Sequence, residues 1–262
     1  MKKLDLLFKL LTLLTFIAAT GTSCQKGKDI LGVSFGQLRI SSVFSGNAAP
    51  LLVQVDGKVK DTLRVDKPNT NSAIILEAGK HKLVLINRTT KKALSTTTVT
   101  IAAAKTLSLP KFYYTGTAAL FDDLTVKPTR DSMLVRIVTL DPALPDVMDL
   151  ELSLYDYGSI YVPLATKKIK GVRKDRFSEF ITLPNPAKLL PDVDASFILY
   201  AIEGYDSNNK NKKVMSIENG TNSYILLNNF QYFVPNAVVS MGIGPYNQGV
   251  QEPFTIFERI AK

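Results

Sequence analysis

The sequence predicts an all-β protein in which an N-terminal signal segment is followed by two tandem antiparallel β-sandwich domains. Short runs rich in Val, Ile, Leu, Thr and Tyr alternate with clusters of Gly, Asn, Asp and Lys, which is the pattern of strands and turns. These runs recur in the same order in two parts of the chain. No stretch after the N-terminal segment carries apolar residues at helical spacing over several turns.

The first 23 residues have the three parts of a secretory signal peptide. A basic start at residues 1–3 precedes the apolar run "LLFKLLTLLTFIAATG", and small residues at 21–23 provide a cleavage site. An uncleaved membrane helix is the alternative. Because Lys9 interrupts the apolar run, the part that remains is far shorter than the roughly 20 residues of a bilayer span. We therefore expect export and removal of residues 1–23.

Cys24 is the only cysteine of the 262-residue chain, so an intramolecular disulfide is excluded. Its place directly after the cleavage site resembles the lipobox of bacterial lipoproteins, in which the cysteine carries lipid. Gly21 stands where Leu is common, and the Gly, Thr and Ser before the cysteine are similar to the variants used in the Bacteroidetes. The resemblance implies a lipid on Cys24 and an outer-membrane location. It leaves open whether the protein faces the periplasm or the cell surface.

After a tether over residues 24–36, the first domain is expected over residues 37–127. Its successive runs are "QLRISSVF", "PLLVQVDGK", "SAIILEAGK", "HKLVLIN", "TTTVTI", "KTLSLP" and "TAALFDD". Each is as long as an ordinary strand, and "DGK", "EAGK" and "NRTTKK" mark turns between them. The sequence thus predicts a sandwich that ends near the polar segment "DDLTVKPTRDS".

The second domain, expected over residues 128–262, repeats the first. Residues 37–58 align with residues 133–156, and this alignment pairs Arg39 with Arg136. Downstream runs keep the same order, but "YDYGS" replaces the "VDG" turn and a longer tail follows Asn229. Two copies are too few for a solenoid, so we expect two similar sandwiches.

This pattern resembles a tandem family of domains of unknown function (DUF4397-like) whose repeats read R-x-x-x-x-x-P-x-x-x-V-x-V-D-G. The family occurs in secreted and surface lipoproteins, notably of Bacteroidetes. The resemblance implies immunoglobulin-like or transthyretin-like sandwiches in the cell envelope. It implies no catalytic residues, because the family has none established.

Composition and residue types argue against several classes of function. The net charge of +9 comes from Lys and Arg scattered in turn-like segments without a nucleic-acid motif, so we expect no nucleic-acid partner. The single histidine, His81, is expected to be an exposed strand-end residue, and it cannot form a zinc site with Cys24 alone. We predict no metal, no cofactor and no enzyme activity; a hydrolase with a carboxylate pair is the alternative.

Pro-flanked aspartates are expected to form turns rather than a calcium site, because an Asp side chain bonds the backbone two residues further on. They occur in "FDD", "DPALPDVMD" and "PDVD".

Tyrosines give the best lead to a ligand. Tyr155, Tyr157 and Tyr161 cluster in "YDYGSIY", and Tyr246 lies in a Gly/Pro-rich segment. "FYYTG" adds a further pair. Packing within the sheets is the alternative role for all of them.

Thr62 in "DTL" and Ser132 in "DSM" resemble Asp-Ser/Thr-aliphatic sites at which Bacteroidetes attach O-glycans. The sequence as a whole predicts a non-catalytic envelope lipoprotein that serves as a binding or structural module. Its partners would be the membrane, through the lipid, and a surface glycan or an envelope protein. The alternative is a carbohydrate-binding accessory lipoprotein of a polysaccharide-uptake system.

Overall fold

The structure is a computed structural model that describes residues 32–44, 48–64, 69–156, 161–192, 198–215, 224–225, 233–246 and 250–261. The predicted signal peptide, Cys24 and the tether up to residue 31 lie outside these ranges. Eighteen strands and one four-residue helix, α1 (Pro186–Leu189), form the described part. No helix in this part is both long enough and apolar enough to cross a membrane.

The first half of the chain forms two sheets before residue 122. One sheet has the order β4-β1-β8-β9, with β7 also paired to β1, and the other has the order β3-β2-β5-β6. The strands are β1 (Phe35–Phe44), β2 (Leu51–Val55), β3 (Lys58–Leu63), β4 (Asn69–Glu77), β5 (Gly79–Asn87), β6 (Ala93–Ile101), β7 (Thr106–Ser108), β8 (Phe112–Tyr114) and β9 (Ala119–Phe121).

The second half forms two further sheets after residue 131. Their orders are β13-β10-β17-β18 and β12-β11-β14-β15, with β16 also paired to β14. The strands are β10 (Ser132–Thr139), β11 (Val147–Asp156), β12 (Tyr161–Arg173), β13 (Ile181–Pro184), β14 (Ile198–Asp206), β15 (Asn209–Met215), β16 (Tyr224–Ile225), β17 (Ala237–Tyr246) and β18 (Val250–Ile260).

The predicted all-β fold is confirmed, and both halves share one topology. The first strand of each half pairs antiparallel on one side and parallel on the other: β1 with β4 and β8, and β10 with β13 and β17. In immunoglobulin domains the first two strands belong to the same sheet. Here the first two strands belong to different sheets in both halves. Of the two sandwich types expected, this arrangement is the transthyretin-like one.

Each half has its own apolar core between its two sheets. In the first half, alternate residues of β1 point inward, so that Leu38 and Ile40 are fully buried against Leu51, Val53 and Leu85. In the second half, Val135 and Ile137 take the same inward positions on β10. Burial of such side chains contributes about 1.5–3 kcal/mol each to folding.

A third, smaller apolar cluster joins the halves. Tyr113, Ala118 and Leu120 of the first half pack against Val138 and Phe257 of the second. Arg259 adds hydrogen bonds from Nη2 to the carbonyl oxygens of Asp123 (3.1 Å) and Val126. The coil over 122–131, which contains the predicted boundary, is therefore tied to the second sandwich.

A two-residue turn connects β2 to β3. Asp56 and Gly57 have φ values of 49° and 80°, so both central residues are in the left-handed region that a type I′ hairpin turn needs. Gly reaches this region without strain, and Asp reaches it more readily than most residues. The turn places Asp56 beside the start of β5, where it contacts His81.

Candidate functional site

The outer surface of the β4-β1-β7 sheet carries a cluster of polar side chains that we call the polar face. Since Leu38 and Ile40 fill the core, the alternating residues of β1 point to the opposite side. The cross-strand register brings polar partners from β4 and β7 alongside them. The polar face consists of Gln37, Arg39, Ser41, Asn71, Thr106 and Ser108.

Hydrogen bonds order part of the polar face. Gln37 Oε1 accepts from Arg39 Nε at 3.0 Å and from Thr106 Oγ1 at 3.3 Å. Ser41 Oγ donates to Asn71 Oδ1 at 2.8 Å. These bonds hold the Gln37 and Asn71 amides, and Asn71 lines a depression of about 480 Å³ together with Arg39, Ser41 and Ser108.

Arg39 is exposed, and Gln37 is the one hydrogen-bond partner of its side chain among the described residues. A guanidinium group carries five N–H donors in a planar fork, and a single bond from Nε leaves four of them. Arg39 therefore presents a fixed positive charge with spare donors at the edge of a polar depression. Such a group binds carboxylate, phosphate or hydroxyl oxygens.

The repeat-equivalent residue, Arg136, has the opposite surroundings. It lies on β10 as Arg39 lies on β1, but it is only 9% exposed. Its Nε donates to Ser240 Oγ and its Nη2 donates to the Phe121 carbonyl oxygen, each at 2.8 Å. Its guanidinium carbon is 4.2 Å from the ring centroid of Phe177 and 4.7 Å from that of Phe180. In the second half, the arginine at this position therefore binds the end of the first half.

Burial lowers the pKa of Arg136, and the nearby carboxylates of Asp122 and Asp123 oppose that shift. Burial also raises the pKa of Asp122, which Arg136 and Arg259 oppose. Asp122 and Arg136 approach to 3.9 Å. The charges at the contact between the halves therefore depend on each other, whereas Arg39 has no carboxylate partner in the described ranges.

A second depression, of about 350 Å³, adjoins the polar face at the start of β1. Charged residues Asp56, Lys58, Lys60, Glu77 and His81 line it together with Phe35 and Ile75. It lies where β1 begins and where the β2–β3 and β4–β5 turns meet. Its mixture of lysines with exposed apolar side chains differs from the lining of the depression beside Arg39.

His81 is not the exposed strand-end residue that the sequence predicts. Its side chain is 13% exposed and its Nδ1 lies 2.6 Å from Asp56 Oδ2. Its Nε2 lies 2.8 Å from the carbonyl oxygen of Glu77, which can only accept. With acceptors at both ring nitrogens, the site favours the doubly protonated ring.

These bonds shift both pKa values. The hydrogen bond that His81 donates to Asp56, followed by that to the Glu77 carbonyl, raises the pKa of His81 above 6.5. The bond from His81 lowers the pKa of Asp56 below 3.8. The Asp56–His81 ion pair joins the β2–β3 turn to the start of β5.

The predicted tyrosine cluster is only partly within the described residues. Tyr155, the penultimate residue of β11, pairs with Tyr161 at the start of β12. Tyr246 ends β17, in the other sheet of the second half. Tyr157 lies outside the described residues. The register therefore brings Tyr155 and Tyr161 together and places Tyr246 apart from them.

The tyrosines of "FYYTG" belong to the packed interior. Tyr114 is fully buried, and its hydroxyl donates to the Gly116 carbonyl oxygen at 3.0 Å. Tyr113 packs in the cluster between the halves. Both therefore follow the packing alternative rather than the ligand-binding one.

The two predicted O-glycan acceptors differ in access. Thr62 is partly exposed on β3, at the edge of its sheet. Ser132 is 4% exposed, and its Oγ donates to the Thr129 carbonyl oxygen at 2.7 Å. A transferase that acts on the folded protein could reach Thr62 but not Ser132; glycosylation of either remains a prediction.

Two of the aspartates predicted to form turns, Asp141 and Asp123, do so, whereas Asp149 Oδ1 accepts from Gly171 N and from Ser207 Oγ on distant segments. Asp141 Oδ1 accepts from Ala143 N at 2.7 Å, and Asp123 Oδ1 accepts from Thr125 N at 2.9 Å. Both bonds reach the residue two positions on, as predicted. Across the described ranges, no three or more His, Cys, Asp or Glu side chains converge as metal ligands would.

Comparisons with known proteins give only distant likenesses. No family model matches the chain, and no curated protein matches it by sequence. Among solved structures, a DUF3823 family protein from Bacteroides ovatus is 12% identical with a TM-score of 0.23, over 72% of this chain and 96% of that one. A family CBM26 module from Eubacterium rectale Amy13K, solved with maltoheptaose, is 12% identical with a TM-score of 0.22, over 86% of this chain and 97% of that one.

The Bacillus anthracis TIE protein is 13% identical with a TM-score of 0.24, over 84% of this chain. The chain spans only 34% of that protein's length. At these TM-scores none of the likenesses bears on function.

Proposed function

We propose that the protein is a non-catalytic envelope protein, anchored in the outer membrane by a lipid on Cys24, that binds its ligand through the polar face. The contrast between Arg39 and Arg136 carries this proposal. In the second half the arginine at this position of the repeat is buried between hydrogen-bond acceptors and aromatic rings, and in the first half it is exposed with four spare donors. An open, partly ordered set of donors on a rigid sheet is suited to recognition.

The anchor is tested in the native host. Labelled palmitate should enter the wild-type protein and not a Cys24→Ala variant, which should leave the membrane fraction. Two or more acyl chains hold a protein on a bilayer permanently, because each buried methylene contributes about 0.8 kcal/mol. A Cys24→Ala form that stays fully membrane-bound would exclude the lipid anchor.

Binding is tested by cross-linking and pull-down from native envelopes. Arg39→Ala should reduce capture of the enriched partner, whereas Arg88→Ala, another exposed arginine of the same half, should not. Equal capture by the wild type and Arg39→Ala would show that the ligand does not bind at the polar face.

A carbohydrate-binding accessory role in polysaccharide uptake is the second candidate. Three planar polar side chains, Gln37, Arg39 and Asn71, are presented on one sheet surface, and such groups pair with neighbouring sugar hydroxyls. A glycan array or affinity gel is the test, with Arg39→Ala and a Tyr155→Ala/Tyr157→Ala/Tyr246→Ala variant. Unchanged retention of both variants would end the carbohydrate proposal.

A further inference from the structure

One end of the first sandwich combines exposed apolar side chains with lysines, and we call it the tether end. It comprises residues 32–35, 56–60, 75–82 and 101–105. The chain enters the sandwich here, since the Ala78 N–H donates to the Ser34 carbonyl oxygen at 2.7 Å and the Ala104 N–H donates to that of Phe35 at 2.7 Å. Four of the seven large exposed apolar side chains of the described residues lie in this region: Val33, Phe35, Val59 and Ile75.

Phe35 and Ile75 are the exposed apolar side chains that line the depression of about 350 Å³ described above. Phe35 is 51% exposed and Ile75 is 69% exposed, although both are in strands of the same sheet. If this surface contacted only water, polar residues would be more favourable at these two positions. Clustered exposed apolar side chains with a polar rim mark a surface that contacts a partner or a membrane.

Lysines surround these apolar side chains. Lys58 and Lys60 line the depression with Phe35 and Ile75. Lys80, Lys82 and Lys105 are exposed at the same end, so five lysines face two carboxylates there. Of those two, Asp56 is paired with His81 and with the Lys82 N–H, which leaves Glu77 as the opposing charge. The tether end is therefore suited to an anionic surface.

The length of the tether limits where this end can be. Seven residues, 25–31, lie between Cys24 and the first described residue. Fully extended, the eight steps from Cys24 to residue 32 span at most about 29 Å, since a residue extends the chain by at most about 3.6 Å. If Cys24 carries lipid, the tether end is never farther than this from the bilayer surface.

We propose that the tether end docks on the bilayer, with Phe35 and Ile75 inserted at the interface and the lysines on the phosphates of anionic phospholipid headgroups. Apolar side chains beside lysines are the combination by which peripheral proteins bind such surfaces. This proposal rests on the proposed lipid anchor in one respect: the anchor keeps the tether end close to the bilayer. It fixes the orientation of the first sandwich and directs the far end, which carries the second sandwich, away from the membrane.

The chain has no tryptophan, so a single introduced Trp reports on its own surroundings. Full-length protein purified with its lipid is placed in vesicles of brominated phosphatidylcholine with or without phosphatidylglycerol. The Phe35→Trp variant should be quenched by the brominated chains in the anionic vesicles. The Leu189→Trp variant, altered at an exposed residue of the second half, should not be quenched.

A charge-reversal pair tests the lysines. In the Phe35→Trp background, Lys58→Glu/Lys60→Glu should lower the docked-to-undocked ratio by at least roughly 30-fold, because the loss of each lysine's attraction alone lowers it about fivefold and the glutamates add repulsion. Lys91→Glu/Lys92→Glu, at the opposite end of the same sandwich, is the matched control and should leave the quenching unchanged. Added salt should weaken docking of the Phe35→Trp protein.

The outcomes separate docking from anchoring. If the Phe35→Trp variant floats with the vesicles but its fluorescence is unquenched, the docking is overturned while the anchor stands. If the same variant is quenched although it fails to incorporate palmitate, the docking is supported without the anchor. Equal quenching of the Phe35→Trp and Leu189→Trp variants contradicts the proposed orientation.

Discussion

Arg136 on the first strand of the second sandwich donates a hydrogen bond from Nη2 to the carbonyl oxygen of Phe121, at the end of the first sandwich, over 2.8 Å. The bond joins two sandwiches that otherwise have separate cores. Because Arg136 also contacts Ser240 on β17 and both Phe177 and Phe180 in the coil before β13, one side chain links the last strand of one sandwich to two segments of the other.

Replacing this arginine should uncouple the two sandwiches. Arg136→Met removes both hydrogen bonds and leaves the half-buried Asp122 with only Arg259 as a nearby counter-charge, so the free energy of unfolding should fall by roughly 3 kcal/mol. Urea denaturation should then show two transitions where the wild type shows one. Arg173→Met is the control, because its ion pair with Asp175 is exposed and contributes little. A single transition with an unchanged midpoint would contradict the coupling.

The His81–Asp56 pair should make the stability of the first sandwich depend on pH. The folded pKa of His81 is raised above 6.5, so its contribution is complete below about pH 6.5 and is lost as pH rises through the folded value. The folded pKa of Asp56 is lowered below 3.8, so its contribution is present above about pH 3.8 and is lost as pH falls through the folded value. The pair is therefore most effective between these limits.

A proton NMR titration checks this, because the ring resonances of a single histidine can be followed without overlap from others. The midpoint should lie above 6.5 in the wild type and should return toward 6.5 in Asp56→Asn. A wild-type midpoint at or below 6.5 would show that the ion pair does not persist in solution.

Gly36→Ala should destabilise the first sandwich although Gly36 lies in a strand. A Cβ there would overlap the Ala102 carbonyl oxygen and would come within 2.8 Å of the Lys105 carbonyl oxygen. Both are backbone atoms of the loop before β7, so the loop must move, at a cost of about 2 kcal/mol. Ser34→Ala, at a neighbouring exposed position, should cost little. Thermal unfolding of both variants makes the comparison, and equal midpoints would rule out the crowding.

Tyr200→Phe should weaken the second sandwich. The Tyr200 hydroxyl donates to the Pro184 carbonyl oxygen and thereby links β14 in one sheet to β13 in the other. Tyr200 is fully buried, and burial raises its pKa, so the bond persists at any ordinary pH. Its loss removes the Tyr200 donor from the partly buried Pro184 carbonyl, which costs about 1–2 kcal/mol. Tyr205→Phe, where the hydroxyl is partly exposed, should cost less; equal losses in urea midpoints would refute the difference.

The sequence pattern predicts the repeat, but it does not predict which residues each copy of the repeat contacts. Aligning Arg39 with Arg136 correctly places both on the first strand of a sandwich. Their opposite burial depends on the packing of one sandwich on the other, which neither local sequence contains. The parallel pairing of β1 with β8 is equally out of reach, because strand direction leaves no mark on the alternation of side chains.

Two local features escape prediction for physical reasons. The strand β3 is absent from the predicted runs, because it lies at a sheet edge and buries only Leu63, so its sequence lacks apolar alternation. The lysines that flank His81 predict exposure, and this prediction is wrong. The actual partner of His81 is Asp56, which is 25 residues earlier and is brought to it by the β2–β3 turn. Contacts between distant segments decide both the burial and the charge of that residue.

The parallel pairing of β1 with β8 has a mechanical consequence for a protein held at its N-terminus. Tension between a fixed tether and the end of the second sandwich would enter the first sandwich at Phe35 and leave it at Phe121, and so pull β1 along its length. The hydrogen bonds from β1 to its neighbours lie across that direction and would be strained together in shear rather than opened one after another. Single-molecule stretching from the two ends should therefore rupture the first sandwich only at high force.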